Sequence, residues 1–171
     1  AIDYDNNLWV YRELYTQKIT ADIFARKVLD LESGEYIRYG VLDASTWARR
    51  GDIGPSIAET MIQAGCRWRP SDRTGRSRIS GKLEIHKRLK VEDKEPGIRI
   101  FSNCRNLLRT FPTLPLDDSN PEDINTHVED HAYDALRYGC TSRPMHTSYA
   151  NKLYGSKNKS EFIPSDRIFG Y

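Results

Sequence analysis

The sequence predicts an α/β domain built on a mixed β-sheet flanked by helices, and three observations carry that expectation. Segments rich in aromatic and β-branched residues alternate with segments of helical period. The first of them follows turn chemistry of the hairpin kind, so one strand pair should be antiparallel. At 171 residues, 38% hydrophobic and 29% charged, the chain is long enough to bury a core without metals or disulfides. No apolar run approaches the ~20 residues that span a bilayer, which excludes a transmembrane helix.

Taken in order, Asn7 to Leu14 reads as a strand and Asp5-Asn6-Asn7 as the turn before it, with the partner strand expected just upstream and mostly outside this sequence. Thr20 is placed to cap a helix whose apolar face carries Ile23, Phe24, Val28, Leu29 and Leu31, ended by Ser33-Gly34. Tyr36 to Leu42 reads as the second strand and terminates at Asp43. Ser56 to Ala64 reads as a helix after Gly54-Pro55, stopped by Gly65, with Cys66-Arg67-Trp68-Arg69 as a short strand beyond it. Ser77 to Leu89 has loose helical spacing, Gly97 to Phe101 reads as a strand, and Cys104 to Thr110 as a short helix. Pro121 sits where a first helical turn tolerates it, so a helix is expected from there to about Tyr138. From Thr141 on, Tyr149, Tyr154, Phe162, Phe169 and Tyr171 recur without period. Residues 1–140 are therefore expected to form the folded domain and residues 141–171 an extended or partner-docked tail.

The opening Ala1-Ile2-Asp3-Tyr4-Asp5 has neither an initiator Met nor a secretory layout, and reads as a chain begun mid-sequence. Cys66, Cys104 and Cys140 are odd in number and far apart. They form neither a disulfide framework nor a CxxC metal clip, and suit a reducing, intracellular compartment rather than secretion.

The net charge of +2 hides an asymmetry. Between Cys66 and Lys90, nine basic residues (Arg67, Arg69, Arg73, Arg76, Arg78, Lys82, Lys87, Arg88, Lys90) face Asp72 and Glu84, a local +7. Five arginines in the twelve residues from Arg67 to Arg78, interleaved with serine and glycine, have the character of a phosphate-contacting loop and point to a polyanionic partner. The plainer reading is a solvated helix face followed by a loop.

Asp43 stands at the carboxyl end of a predicted strand, where α/β folds place functional groups, although a turn or cap aspartate before Ala44-Ser45 has the same spacing. The second cluster is Glu129-Asp130-His131-Ala132-Tyr133-Asp134-Ala135-Leu136-Arg137-Tyr138. On a helix, Asp130 and Asp134 lie one turn apart, as do His127 and His131. Ala132, Ala135 and Leu136 mark a buried face, so the cluster is either a polar outer face or part of a site. A strand-end carboxylate and a helix carboxylate together could offer hard oxygen ligands to Mg²⁺ or Mn²⁺, and a two-metal site of that kind cleaves phosphodiesters. Two other motifs fail. Gly75 to Gly81-Lys82-Leu83 has five residues between its glycines rather than four and lacks the Ser or Thr of a phosphate loop, which excludes an ATPase site. The Cys and His spacing also fits no zinc module.

Four stretches together resemble the nuclease domain of phage and prophage terminase large subunits, the DNA-packaging motors. They are Asn6 to Tyr15; Val41-Leu42-Asp43 with Gly54-Pro55-Ser56-Ile57-Ala58-Glu59; Asp72-Arg73 with Gly75 and the basic helix after it; and Glu129 to Tyr138, the most specific of the four. The resemblance spans about Asp5 to Pro144. It implies an RNase H-like fold and a metal-dependent endonuclease that cuts concatemeric double-stranded viral DNA, working in the cytoplasm of a bacterial host. It also implies Mg²⁺ or Mn²⁺ as cofactor, and as partners an N-terminal ATPase domain, a portal protein and a small terminase subunit. By position, Asp43 is then the second acid of a metal-binding triad and Asp134 the third, with Asp130 as the rival third acid and His131 assisting metal or substrate. Arg67, Arg69, Arg73, Arg76, Arg78 and Lys82 would lie along DNA. The family's first acid belongs to a strand upstream of Asp5, so that first strand is expected to be missing from this sequence; Asp3 and Asp5 fall in the turn and do not replace the acid. The same acids would also serve a junction resolvase or transposase core, and the basic segment alone would serve a non-catalytic module docking DNA or a portal.

Overall fold

The computed structural model describes residues 1–49, 54–74, 76–92 and 95–144. Gly75 and the aromatic positions Tyr149 to Tyr171 lie outside the described residues. Within them the chain is mixed α/β: short strands in small sheets, with five α-helices. None of these helices is long and apolar enough to cross a membrane.

Strand β1 (Leu8–Val10) is shorter than expected. Its Leu8 bridges Ile2 in antiparallel sense, and Trp9 exchanges backbone bonds with Ala1, so the expected hairpin closes. Asn6 takes a positive φ of 65° in its turn. The Asp3 carboxylate accepts from the Asn7 backbone, the Asn7 amide and the Trp9 indole, which makes it a turn brace, as its position predicts. Beyond Val10 the chain leaves the sheet. Arg12 bonds Glu35 and the Leu31 carbonyl, and Glu13 accepts from Asn106 and Leu107 at the start of a later helix. Those side-chain ties replace the strand expected as far as Leu14.

Helix α1 (Ala21–Glu32) follows Thr20 and ends at Ser33, with Gly34 at a φ of 82°. Strand β2 (Gly40–Leu42) is the closing half of the predicted Tyr36–Leu42 segment. A single 3-10 turn (Ala44–Trp47) then leads towards α2 (Ile57–Gln63), whose start is fixed by a capping box between Ser56 and Glu59. Strand β3 (Trp68–Pro70) runs parallel to β2, with Gly40 opposite Trp68. A Cβ at Gly40 would meet the Trp68 ring at 2.0 Å, so only glycine permits this pairing.

Helix α3 (Ser77–Leu89) matches its predicted bounds. A small antiparallel pair, β4 (Val91–Glu92) with β5 (Glu95–Pro96), precedes β6 (Ile98–Ile100), which pairs in parallel with β1. Helix α4 (Arg105–Thr110) and a 3-10 turn (Phe111–Thr113) follow. The last helix, α5, spans only His131–Ser142, not Pro121 to Tyr138. Between Asp117 and His127, the side chains of Asp117, Asn120 and Asn125 accept from backbone N–H groups two or three residues on. These local bonds compete with a helical ladder and win. His127 therefore lies before the helix, and the expected His127–His131 pairing along one helical face is corrected. Thr141 and Ser142 belong to α5.

The described strands form three two-stranded sheets rather than one mixed sheet. A larger core gathers Leu8, Ile85, Ile98, Leu107, Tyr133 and Leu136, so α3 and α5 pack over β1 and β6. A smaller one joins Ala25, Met61 and Cys66 with Leu42 and Trp68, so α1 and α2 pack over β2 and β3. All three cysteines are free and buried.

Candidate active site

Bonds from Tyr138 to Asp43 and from Tyr39 to the Ser142 carbonyl hold the end of β2, and with it Asp43, beside the C-terminal half of α5. Asp43 is at once a cap and a member of a polar cluster. Its Oδ1 accepts from the Ser45 N–H at 2.6 Å, starting the 3-10 turn, while its Oδ2 accepts from the Tyr138 hydroxyl at 2.5 Å. Burial works against the charged form. The bonds from Ser45 and Tyr138, with Arg137 nearby, outweigh it and hold the carboxyl below its ordinary pKa.

Asp134, in the first turn of α5, accepts through Oδ1 from Arg137, whose Nε and Nη2 lie 3.0 and 2.9 Å away. The Arg137 side chain is 6% exposed and stacks over the Tyr138 ring. Burial raises the Tyr138 hydroxyl, and so do its bond to Asp43 and the charge of Asp134. The two predicted acids are linked through neighbouring residues of α5: Tyr138 donates to Asp43, and Arg137, stacked on Tyr138, donates to Asp134. Asp130, the rival third acid, is buried just ahead of α5, its carboxyl raised by burial and then by Asp134. His131 is 81% exposed, with Nδ1 3.7 Å from Asp130 Oδ1. It lines an apolar cleft of about 740 Å³ between α5 and the segment after β1, whose lining includes neither Asp43 nor Asp134.

Mg²⁺ or Mn²⁺ is the cofactor the resemblance implies, and the donor set tests it. Among the described residues no group of three or more His, Cys, Asp or Glu side chains comes together that could hold a metal ion. Two acids tied to Arg137, Ser45 and Tyr138 do not make a cation site by themselves.

The basic segment divides. Arg78 pairs with Asp123 at 2.7 Å, and Lys82 donates to the carbonyls of Pro121 and Glu122. Arg73 donates to the Ala44 carbonyl, and Arg67 to that of Ile37 while lying over the Tyr36 ring. Arg76 is exposed at the head of α3. Arg69 stacks on Tyr39, 4.3 Å from the ring centroid, and lines a groove of about 340 Å³ with Ser71, Asp72, Tyr138, Thr141 and Ser142.

Sequence reasoning did not single out Arg137 or Tyr138 as acid partners. The Asp134–Arg137 spacing of three on a helix was a usable signal. Nothing local announces the Tyr138–Asp43 contact, which crosses 95 residues. Compared with protein-family models, curated proteins and solved structures, the chain matches none.

Proposed function

We propose that this chain is the nuclease portion of a phage or prophage terminase large subunit, an endonuclease that cuts concatemeric double-stranded DNA during packaging. The observation that supports this reading is the meeting of Asp43, at the end of β2, with the α5 motif through Tyr138. The acids as placed fall short of a cation site, so the reading requires a further oxygen ligand, which the resemblance puts on an upstream strand. On this reading Asp43 and Asp134 are the chain's own contribution to the site, and Ser45, Tyr138 and Arg137 hold them in place. The ATPase domain, portal and small subunit are partners of the whole motor.

The test is plasmid nicking in Mn²⁺ by this chain beside a longer polypeptide that supplies the upstream strand, with EDTA and Asp43→Asn as controls. Cleavage by the longer polypeptide alone, abolished by both controls, is the expected outcome. Absence of cleavage by either, with DNA binding intact, moves the assignment to a non-catalytic DNA-docking module. That second reading rests on the exposed Arg69, Arg73 and Arg76 of β3 and the stretch that leads to α3.

A further inference from the structure

The arginines of the basic segment are not equivalent: among the described residues Arg69 and Arg76 have no side-chain acceptor, and of the two only Arg69 lies on β3, the strand paired with the one that ends at Asp43. Arg78 faces a carboxylate, and Arg67 and Arg73 face backbone carbonyls. The contact of Arg69 is the face of Tyr39. Stacking fixes the plane of a guanidinium and leaves its N–H fork free to donate to an anion. The Tyr39 hydroxyl is itself tethered to the Ser142 carbonyl, so the platform is anchored to the end of α5.

Register supplies the second donor. Arg69 is paired with Val41, and the Ser71 N–H donates to the Leu42 carbonyl, so the chain at Ser71 runs beside the end of β2. Arg69 and Ser71 are two apart on an extended segment and share a face. The Ser71 Oγ accepts from the Ala44 N–H, which leaves its hydroxyl hydrogen to donate. Both residues line the groove that ends at Tyr138, the residue bonded to Asp43.

We propose that this groove is a subsite for the phosphodiester backbone of a DNA strand, with the Arg69 guanidinium and the Ser71 hydroxyl as its phosphate contacts. The proposal deepens the nuclease reading and rests on it for the role of Asp43: a backbone held by Arg69 and Ser71 runs past the carboxylate at the strand end. It differs from a general basic loop in placing the phosphate contact at one stacked arginine rather than across all five.

The experiment is fluorescence anisotropy of a labelled DNA duplex titrated with the full chain at several salt concentrations. Arg69→Ala should weaken binding roughly tenfold and lower the salt slope by about one, the signature of one lost phosphate contact. Arg69→Lys should fall between, because it keeps the charge and loses the stacked fork. Lys27→Ala, which removes the same charge from α1, should leave affinity within about twofold of the original. Arg69 is exposed, so thermal melts of its variants should overlay that of the parent. Equal weakening by Arg69→Ala and Lys27→Ala, or no binding by the parent chain, overturns the subsite. Loss of binding in Arg69→Ala, with no cleavage by the longer polypeptide that supplies the upstream strand, retires the nuclease and keeps the subsite. Cleavage with Arg69→Ala binding unchanged retires the subsite and keeps the nuclease.

Discussion

The two halves of the basic segment look alike in the sequence and behave differently in the fold. From Arg67 to Arg76 the cations lie on β3 and the loop after it, mostly exposed. From Ser77 to Leu89 they lie on α3, and several turn inward. Arg88 is fully buried, donating to the carbonyls of Asn6, Gly97 and Arg143 with Glu84 on the same helix face. Arg78 and Lys82 pin the turn-rich segment before α5. Charge density therefore marks two different things here, an exposed row of arginines on and around β3 and a set of internal ties within and around α3. Only the acceptors tell them apart.

The sharpest way to break this contrast is Arg88→Ala. It strips a buried cation from three carbonyls and leaves Glu84 without its arginine, so urea unfolding should show a loss of about 3–5 kcal/mol. A loss near zero would place Arg88 with the surface arginines. Next is Gly81→Ala, on the face of α3 that meets α5. The added Cβ would stand 2.5 Å from Arg137 Cγ and 2.8 Å from its Cδ. Overpacking of this kind costs about 1–3 kcal/mol, and the variant should also loosen the Arg137–Asp134 pair, visible as altered Arg137 side-chain resonances.

The smallest expected effect concerns pH. The carboxyl of Asp130 is raised by burial and by Asp134, so the folded state binds its proton more tightly than the unfolded chain does. Its charged form then opposes folding at neutral pH, and the opposition fades as pH falls into the carboxylate range. Asp130→Asn should raise the melting midpoint at pH 7, with a smaller gain near about pH 4. Asp43→Asn should do the reverse, because a lowered carboxyl stabilises the fold above the ordinary carboxylate range and loses that effect as pH falls through its depressed value. Scanning calorimetry across pH separates the two signs.

Elements whose signals are local were legible in the sequence. Helix α3 kept its bounds, Thr20 marked the entry to α1, and Gly65 marked the exit from α2, because period, cap and stop residues act within a turn or two. The start of α5 was misplaced because Asp117, Asn120 and Asn125 offer the backbone closer acceptors than a helix would. Strand β1 was read too long because Arg12 and Glu13 are drawn off to Glu35 and to the head of α4, contacts 23 and 93 residues away. Within the candidate site, Asp43 and Asp134 could be named from strand-end position and motif. Their ties to Ser45 and Arg137 follow from short spacings, whereas Tyr138 and Tyr39 reach their partners across the fold and leave no mark in the local pattern.

Arg88 carries one more consequence, for the order in which the chain assembles. Its guanidinium gathers carbonyls 82, 9 and 55 residues away, from the first turn, the approach to β6 and the end of α5. Two of those three closures span long loops, whose entropy is lost before the bond forms, so they belong to the last step of folding rather than to its nucleus. A weakened Arg88 should then leave the refolding rate almost unchanged and shorten the lifetime of the folded chain, acting as a clasp against opening rather than as a guide to closing.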